Sequence, residues 1–294
     1  MDTVLTHGRR GFAAIAEGQL HYRVWSEPAE GRAPLLLLHA SPASSLLLDR
    51  FARCFGQARG VIGFDTPGQG DSCPPRSVDV DMAYFADVAL RGLDALGIGK
   101  VAVFGTHTGA RIAAEMAIAA PDRVTAVVLD GIRRMPAVDF GDYAERVDLS
   151  RHIDQDGTQF HKTWNKWRSE YLFKPPHVWD LAELAGSPLP TPMEMHLAAV
   201  EVFKGIPHGH VAYRAAIRFD VDARLSLLRV PALVTCARSD GSLPETGHVA
   251  SVTPGASVVY HEHRVEYAGR DSLQTFADRI SEWLAGAEGA PSAR

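Results

Sequence analysis

The chain has 294 residues, 46% hydrophobic and 22% charged, with a formal net charge of −5 at pH 7. That composition excludes general disorder, and the mild acidity excludes the basic footprint of a nucleic-acid binder. No stretch has the length and apolarity of a membrane span, no secretory signal core is evident, and Cys54, Cys73 and Cys236 lack metal-ligand spacing, so a reduced, cytoplasmic setting is expected.

Taken in chain order, "FAAIAEGQLHYRVW" predicts two strands turned at Glu17 and Gly18, and "APLLLLHASP" a buried strand ended by small residues and Pro42. A helix-like stretch over 44–55, the strand "GVIGFD" and the loop "TPGQGDSCPPRS" follow. In "DMAYFADVALRGLDALGI", Met82, Phe85, Val88, Ala89, Leu93 and Leu96 fall near helical spacing, and Gly97 and Gly99 stop the helix before the strand "KVAVFG". A helix is predicted over 108–119, then the buried strand "VTAVVLDG". Strands apolar on both faces and alternating with helices indicate a mostly parallel sheet covered on both sides, an α/β protein. From about 134 to 222 the rhythm breaks into a helical insertion rich in Trp, His and Pro, after which "VPALVTCARSDG", "ASVVYHEHR" and a last helix "DSLQTFADRISEWLAG" restore it. The expected organisation is a core from 1–133 and 223–288, an inserted cap over 134–222, and a flexible tail over 289–294.

The chemistry concentrates in "VAVFGTHTGARIAAEMA". Gly105 and Gly109 remove side chains where a strand reverses tightly into a helix, so the central residue, His107, is pushed up at the strand's C-terminal edge beside unpaired helix amides.

These pieces, in this order, resemble the α/β-hydrolase fold over nearly the whole chain. The resemblance rests on "LLLLHASP", "FDTPGQGDS", the Gly105-Thr106-His107-Thr108-Gly109 elbow and "VPALVTCARSD". It implies an eight-stranded, mostly parallel sheet, with the 134–222 insertion as a cap that roofs the pocket. It also implies an oxyanion hole from the amides of Ser41 and Thr108 with His39 nearby, and a late acid at Asp240 or, alternatively, Asp130. The final member of the usual constellation is expected near Glu266, with His261 and His263 coming early in the chain; a solvent-facing strand end is an equal expectation for those two. The pattern departs at the elbow, where the family has serine and this chain has His107.

A histidine there can act as general base or as nucleophile. Three readings stay open. The first is a hydrolase of a small, mostly apolar carbonyl, ester or lactone-type substrate; the second, a lyase or isomerase moving a proton from His107; the third, a ligand-binding protein without chemistry. Trp164 and Trp167, with Phe173, Trp179 and Phe203, gather aromatic surface in the cap and are candidate substrate contacts. No cofactor is expected, because no Gly-x-Gly-x-x-Gly follows a first strand and no phosphate loop occurs. No metal is expected either, because no ligand pair has a geometry-fixing spacing. The expected partner is a small molecule, with neither nucleic acid nor membrane, and a homodimer through the cap's exposed face is left open.

Overall fold

A computed structural model describes residues 7–27, 31–56, 59–135, 153–172, 190–266 and 268–289. Strand β1 (Arg9–Ile15) and β2 (Gly18–Ser26) form an antiparallel hairpin. Then come β3 (Leu35–Leu38), α1 (Asp49–Arg53), β4 (Val61–Phe64), α2 (Met82–Ala95), β5 (Val101–Thr106), α3 (Thr108–Ala119) and β6 (Val124–Asp130). The insertion contributes α4 (Thr158–Leu172), α5 (Pro192–Gly205) and α6 (Gly209–Ile217); residues 136–152 and 173–189 of the expected cap, with Phe173 and Trp179, lie outside the described residues. The chain continues with α7 (Val221–Leu225), β7 (Ala232–Ala237), α8 (Thr246–Val252), β8 (Ser257–His261) and α9 (Arg270–Gly289). The last helix runs through Gly289, one residue into the stretch read as tail, and 290–294 lie outside the described residues.

The eight strands form one sheet in the order β1-β2-β4-β3-β5-β6-β7-β8, antiparallel at β1-β2 and β2-β4 and parallel elsewhere. Side chains alternate across a strand, and the leucine run in β3 shows the consequence: Leu36 and Leu38 enter one core, Leu35 and Leu37 the other. The first core lies against α2 and α3 and includes Val211, Ala212, Ala215 and Ala216 of α6. The second lies against α1 and α9 and is filled by Phe51, Phe104 and Phe276. A strand buried on both faces favours apolar residues at nearly every position, which is why β3 and most of β5 and β6 read as hydrophobic runs.

Strand order locates the site. From β3 the chain steps outward to β4, then crosses back over β3 to reach β5, so β3 and β5 sit where the winding reverses. The crevice beyond the carboxyl ends of strands at such a reversal is where open α/β sheets bind ligands. Two segments converge there, the "HASP" loop after β3 and the His107 elbow after β5. No helix among the described residues is long and apolar enough to cross a membrane.

Candidate active site

Between β5 and α3 the main chain turns in a single residue. His107 has φ 50° and ψ −103°, the sole described non-glycine residue with positive φ. Its N–H donates to the Asp130 carbonyl at 2.8 Å, and its own carbonyl accepts from the buried Arg111 side chain at 3.0 Å. Burial pulls the Arg111 guanidinium down to about 10, and its second hydrogen bond, to the Arg133 carbonyl, fixes it across the base of the turn. Both framing glycines are required by packing. A Cβ at Gly105 would overlap the Gly109 main chain, and one at Gly109 would overlap the Leu38 carbonyl. This contact draws the N-terminus of α3 against the loop after β3. Thr108 is the first helical residue, so its amide has no partner within the helix and can serve a ligand at the elbow.

The His107 ring is 25% exposed and lies over Gly131, where an added Cβ would come within 2.9 Å of Cε1 and 3.0 Å of Nε2. Its Nε2 sits 3.0 Å from Asp240 Oδ2. The N–H direction misses the oxygen, so the contact is close but bent. Burial by itself would raise the Asp240 carboxyl. The charge and contact of His107, the charge of Arg264 and the Ser242 amide outweigh burial and hold it well below the usual carboxylate range. Asp240 is therefore an anion beside the ring.

The loop after β3 is zipped to the "DTPGQGD" turn by four side chains. His39 Nε2 accepts from the Thr66 amide at 3.0 Å, and Gln69 donates to Ser41 Oγ at 2.6 Å while accepting from the Ala43 amide at 3.0 Å. Asp65 accepts from the Ser45 amide at 2.8 Å, from the Asp71 amide at 3.0 Å and from His21 Nδ1 at 2.8 Å. The turn braces the loop that flanks His107.

Several expectations need correction. His39 is not available to substrate: Nδ1 donates to the Ala40 carbonyl at 2.7 Å, so both ring nitrogens are spent on backbone, and burial lowers its proton affinity. Asp130 is not the acid facing His107. Its Oδ1 accepts from Thr235 Oγ1 at 2.9 Å and from His261 Nε2 at 2.8 Å, so His261 is a buried ion-pair member, not a solvent-facing strand end. His263 contributes its carbonyl, which accepts from His261 Nδ1 at 2.9 Å. Glu266 does not orient His107 directly. Its side chain, 2% exposed, meets Arg264 at 3.4 Å, and Arg264 Nε lies 3.5 Å from Asp240 Oδ2. The Arg264 guanidinium lies between the two carboxylates and offsets the repulsion between them. Trp167 packs with Met195, Ala198 and Val202 in the insertion's own apolar cluster, whereas Trp164 is exposed on the same helix. A cavity of about 370 Å³ lined by Ala117, Ile118, Pro121 and Leu228 lies at the opposite end of α3 from His107.

Gly131, Gln69, Arg111 and Arg264 were not singled out by sequence for the roles they hold here. Gly131 and Arg264 depend on strand register and loop path. Gln69 carried one signal, its place inside the "PGQGD" turn.

Comparison with known proteins gives a consistent likeness. Residues 33–259 match the family described as alpha/beta hydrolase fold. The proline iminopeptidase of Lacticaseibacillus rhamnosus is 25% identical over 300 residues, covering 94% of this chain and 98% of that protein. The Caulobacter vibrioides protein named carbamate hydrolase RutD is 30% identical over 113 residues, which span 37% of this chain and 41% of that protein. The solved structure of the enol-lactonase from Burkholderia xenovorans LB400 superposes with a TM-score of 0.72 at 17% identity, covering 94% of this chain and all (100%) of that one, a likeness of fold.

Proposed function

Because the chain belongs to the alpha/beta hydrolase fold family and carries histidine at its elbow, we propose that it hydrolyses small, mostly apolar esters, lactones or related acyl compounds, with His107 and Asp240 acting as one base. One observation carries this reading: an imidazole held at the mouth of the crevice by a left-handed turn, with Nε2 3.0 Å from a buried carboxylate. The relatives' names, an iminopeptidase, a carbamate hydrolase and an enol-lactonase, share attack at an acyl carbon.

With Nε2 turned to Asp240, Nδ1 is the nitrogen that takes a proton from water. The hydroxide forms a bond to the acyl carbon, and the carbonyl oxygen becomes an oxyanion facing the Thr108 and Ser41 amides. Collapse re-forms the carbonyl and breaks the bond to the leaving group, which takes back the proton from the imidazolium. Asp240 stabilises that imidazolium throughout, as an acid behind a histidine does in other hydrolytic sites. A general base requires only position and proton affinity, whereas direct attack by the ring would leave an acyl adduct on His107.

The test is turnover of a panel of aryl esters, lactones and carbamates by wild type and His107→Ala purified in parallel. The variant is expected to lose about 10²- to 10⁴-fold in kcat, the range a positioned base supplies. Intact mass after a rapid quench should show no adduct on the wild type. Equal turnover by the two proteins would overturn the proposal.

A further inference from the structure

The reaction above makes no use of Asp130 and His261, although both side chains are 4% exposed and form a charged pair at 2.8 Å between β6 and β8. His261 Nε2 lies 2.8 Å from the Asp130 carboxyl and Nδ1 2.9 Å from the His263 carbonyl, two acceptors that a protonated ring satisfies together. The ring also stacks on Phe276 of α9, centroids 3.9 Å apart and planes within 9°.

The main chain of this pair carries both halves of the reacting dyad. The Asp130 carbonyl accepts the His107 amide at 2.8 Å, and Gly131, the next residue, lies under the His107 ring with its own amide on the Thr235 carbonyl at 2.9 Å. The His261 carbonyl accepts the Arg238 amide at 2.7 Å, and the Asp240 loop starts from there through Ser239 N–H to the Glu262 carbonyl. One side-chain bond therefore spans the two backbones that set the distance from His107 to Asp240. We infer that the buried Asp130–His261 pair is a positioning element for the dyad, aligning it only while His261 carries its proton. This rests on the reading of His107 and Asp240 as the reacting pair.

The groups facing the ring are Asp130 on β6, which also accepts from Thr235 of β7, Asp240 in the loop after β7, the His263 carbonyl after β8 and the uncharged Phe276 on α9. Burial opposes the charge, but the carboxylates of Asp130 and Asp240 and the carbonyl of His263 outweigh it and raise the proton affinity above the ordinary histidine value. Loss of the proton removes one of the two hydrogen bonds.

His261→Gln and Asp130→Asn test the inference, with His107→Ala alongside. Folded His261→Gln, verified by cooperative melting, should lose at least about tenfold in kcat with KM nearly unchanged, as a displaced reacting group does. Nitrogen-edited spectra at about pH 6.5, the ordinary histidine midpoint, should show His261 mostly with both nitrogens protonated in the wild type. The variant should move the ring signals of His107. If His261→Gln does not fold, Asp130→Asn gives the same readouts. Unchanged kcat together with unmoved His107 signals in a folded variant would overturn the inference. Should His107→Ala retain full activity, the proposed reaction fails instead, and the ring signals still decide the positioning role.

Discussion

The side chain at the elbow inherits its role from backbone that few residues accept. A non-glycine residue at φ 50° costs about 1–3 kcal/mol, and such a cost persists only where the surroundings over-determine it. Here they do so through the Asp130 carbonyl, Arg111 and the two framing glycines. Gly131 is the residue whose replacement tests the ring's seat most sharply. Its φ is +63°, and a Cβ would enter the imidazole's space. Gly131→Ala is expected to destabilise by about 1–3 kcal/mol through left-handed strain, and to lower kcat more than His107-independent properties such as KM. Denaturant melts and steady-state kinetics read the two effects separately; unchanged kcat would mean the ring does not depend on that floor. His107 was legible in the sequence because glycines at 105 and 109 announce a strand-to-helix reversal whatever stands between them. Gly131 was not, since "VVLDG" ends a strand like many others and only the register Thr106↔Asp130 brings it beneath the ring.

At the scale of elements, the strands and their helices could be read from period and punctuation because burial on both faces forces uninterrupted apolar runs. The β3 leucines divide between two cores by position parity, which the structure shows and the uniform leucine run does not. Strand adjacency was not visible. That β3 lies between β4 and β5, with Leu38 beside Gly105, comes from the crossover and not from any local signal. The same limit explains the acid and base assignments. Asp240 follows a recognisable strand and lands beside His107, whereas His261 ends β8 itself and Glu266 lies in the loop beyond it, and neither reaches the ring. Strand β8 turns His261 into the core, and the loop after it interposes Arg264 before Glu266.

For the molecule as a whole, the buried charges fix how stability changes with pH. Asp65 and Asp240 are held below the ordinary value of 3.8: burial works against them, and His21 for the first and His107 for the second outweigh it. Each contributes stability above about pH 3.8 that is lost as pH falls through its folded value. His261 is raised above 6.5, so its contribution is full below that pH and is lost as pH rises through its folded value. His39 is held below 6.5 by burial, so its contribution is full above that pH and is lost as pH falls; the melting temperature is therefore expected to be highest near pH 6.5 and to fall on both sides. His261→Gln should flatten the alkaline fall, and an alkaline fall that survives in that variant would assign it to other groups. The proposed reaction has His107 and Asp240 acting as one unit, and a double-mutant cycle measures their coupling. On one ester substrate, kcat/KM of wild type, His107→Ala, Asp240→Asn and the double variant should show that each single change is costly while Asp240→Asn adds nothing once His107 is gone. Losses that multiply in the double variant would contradict it.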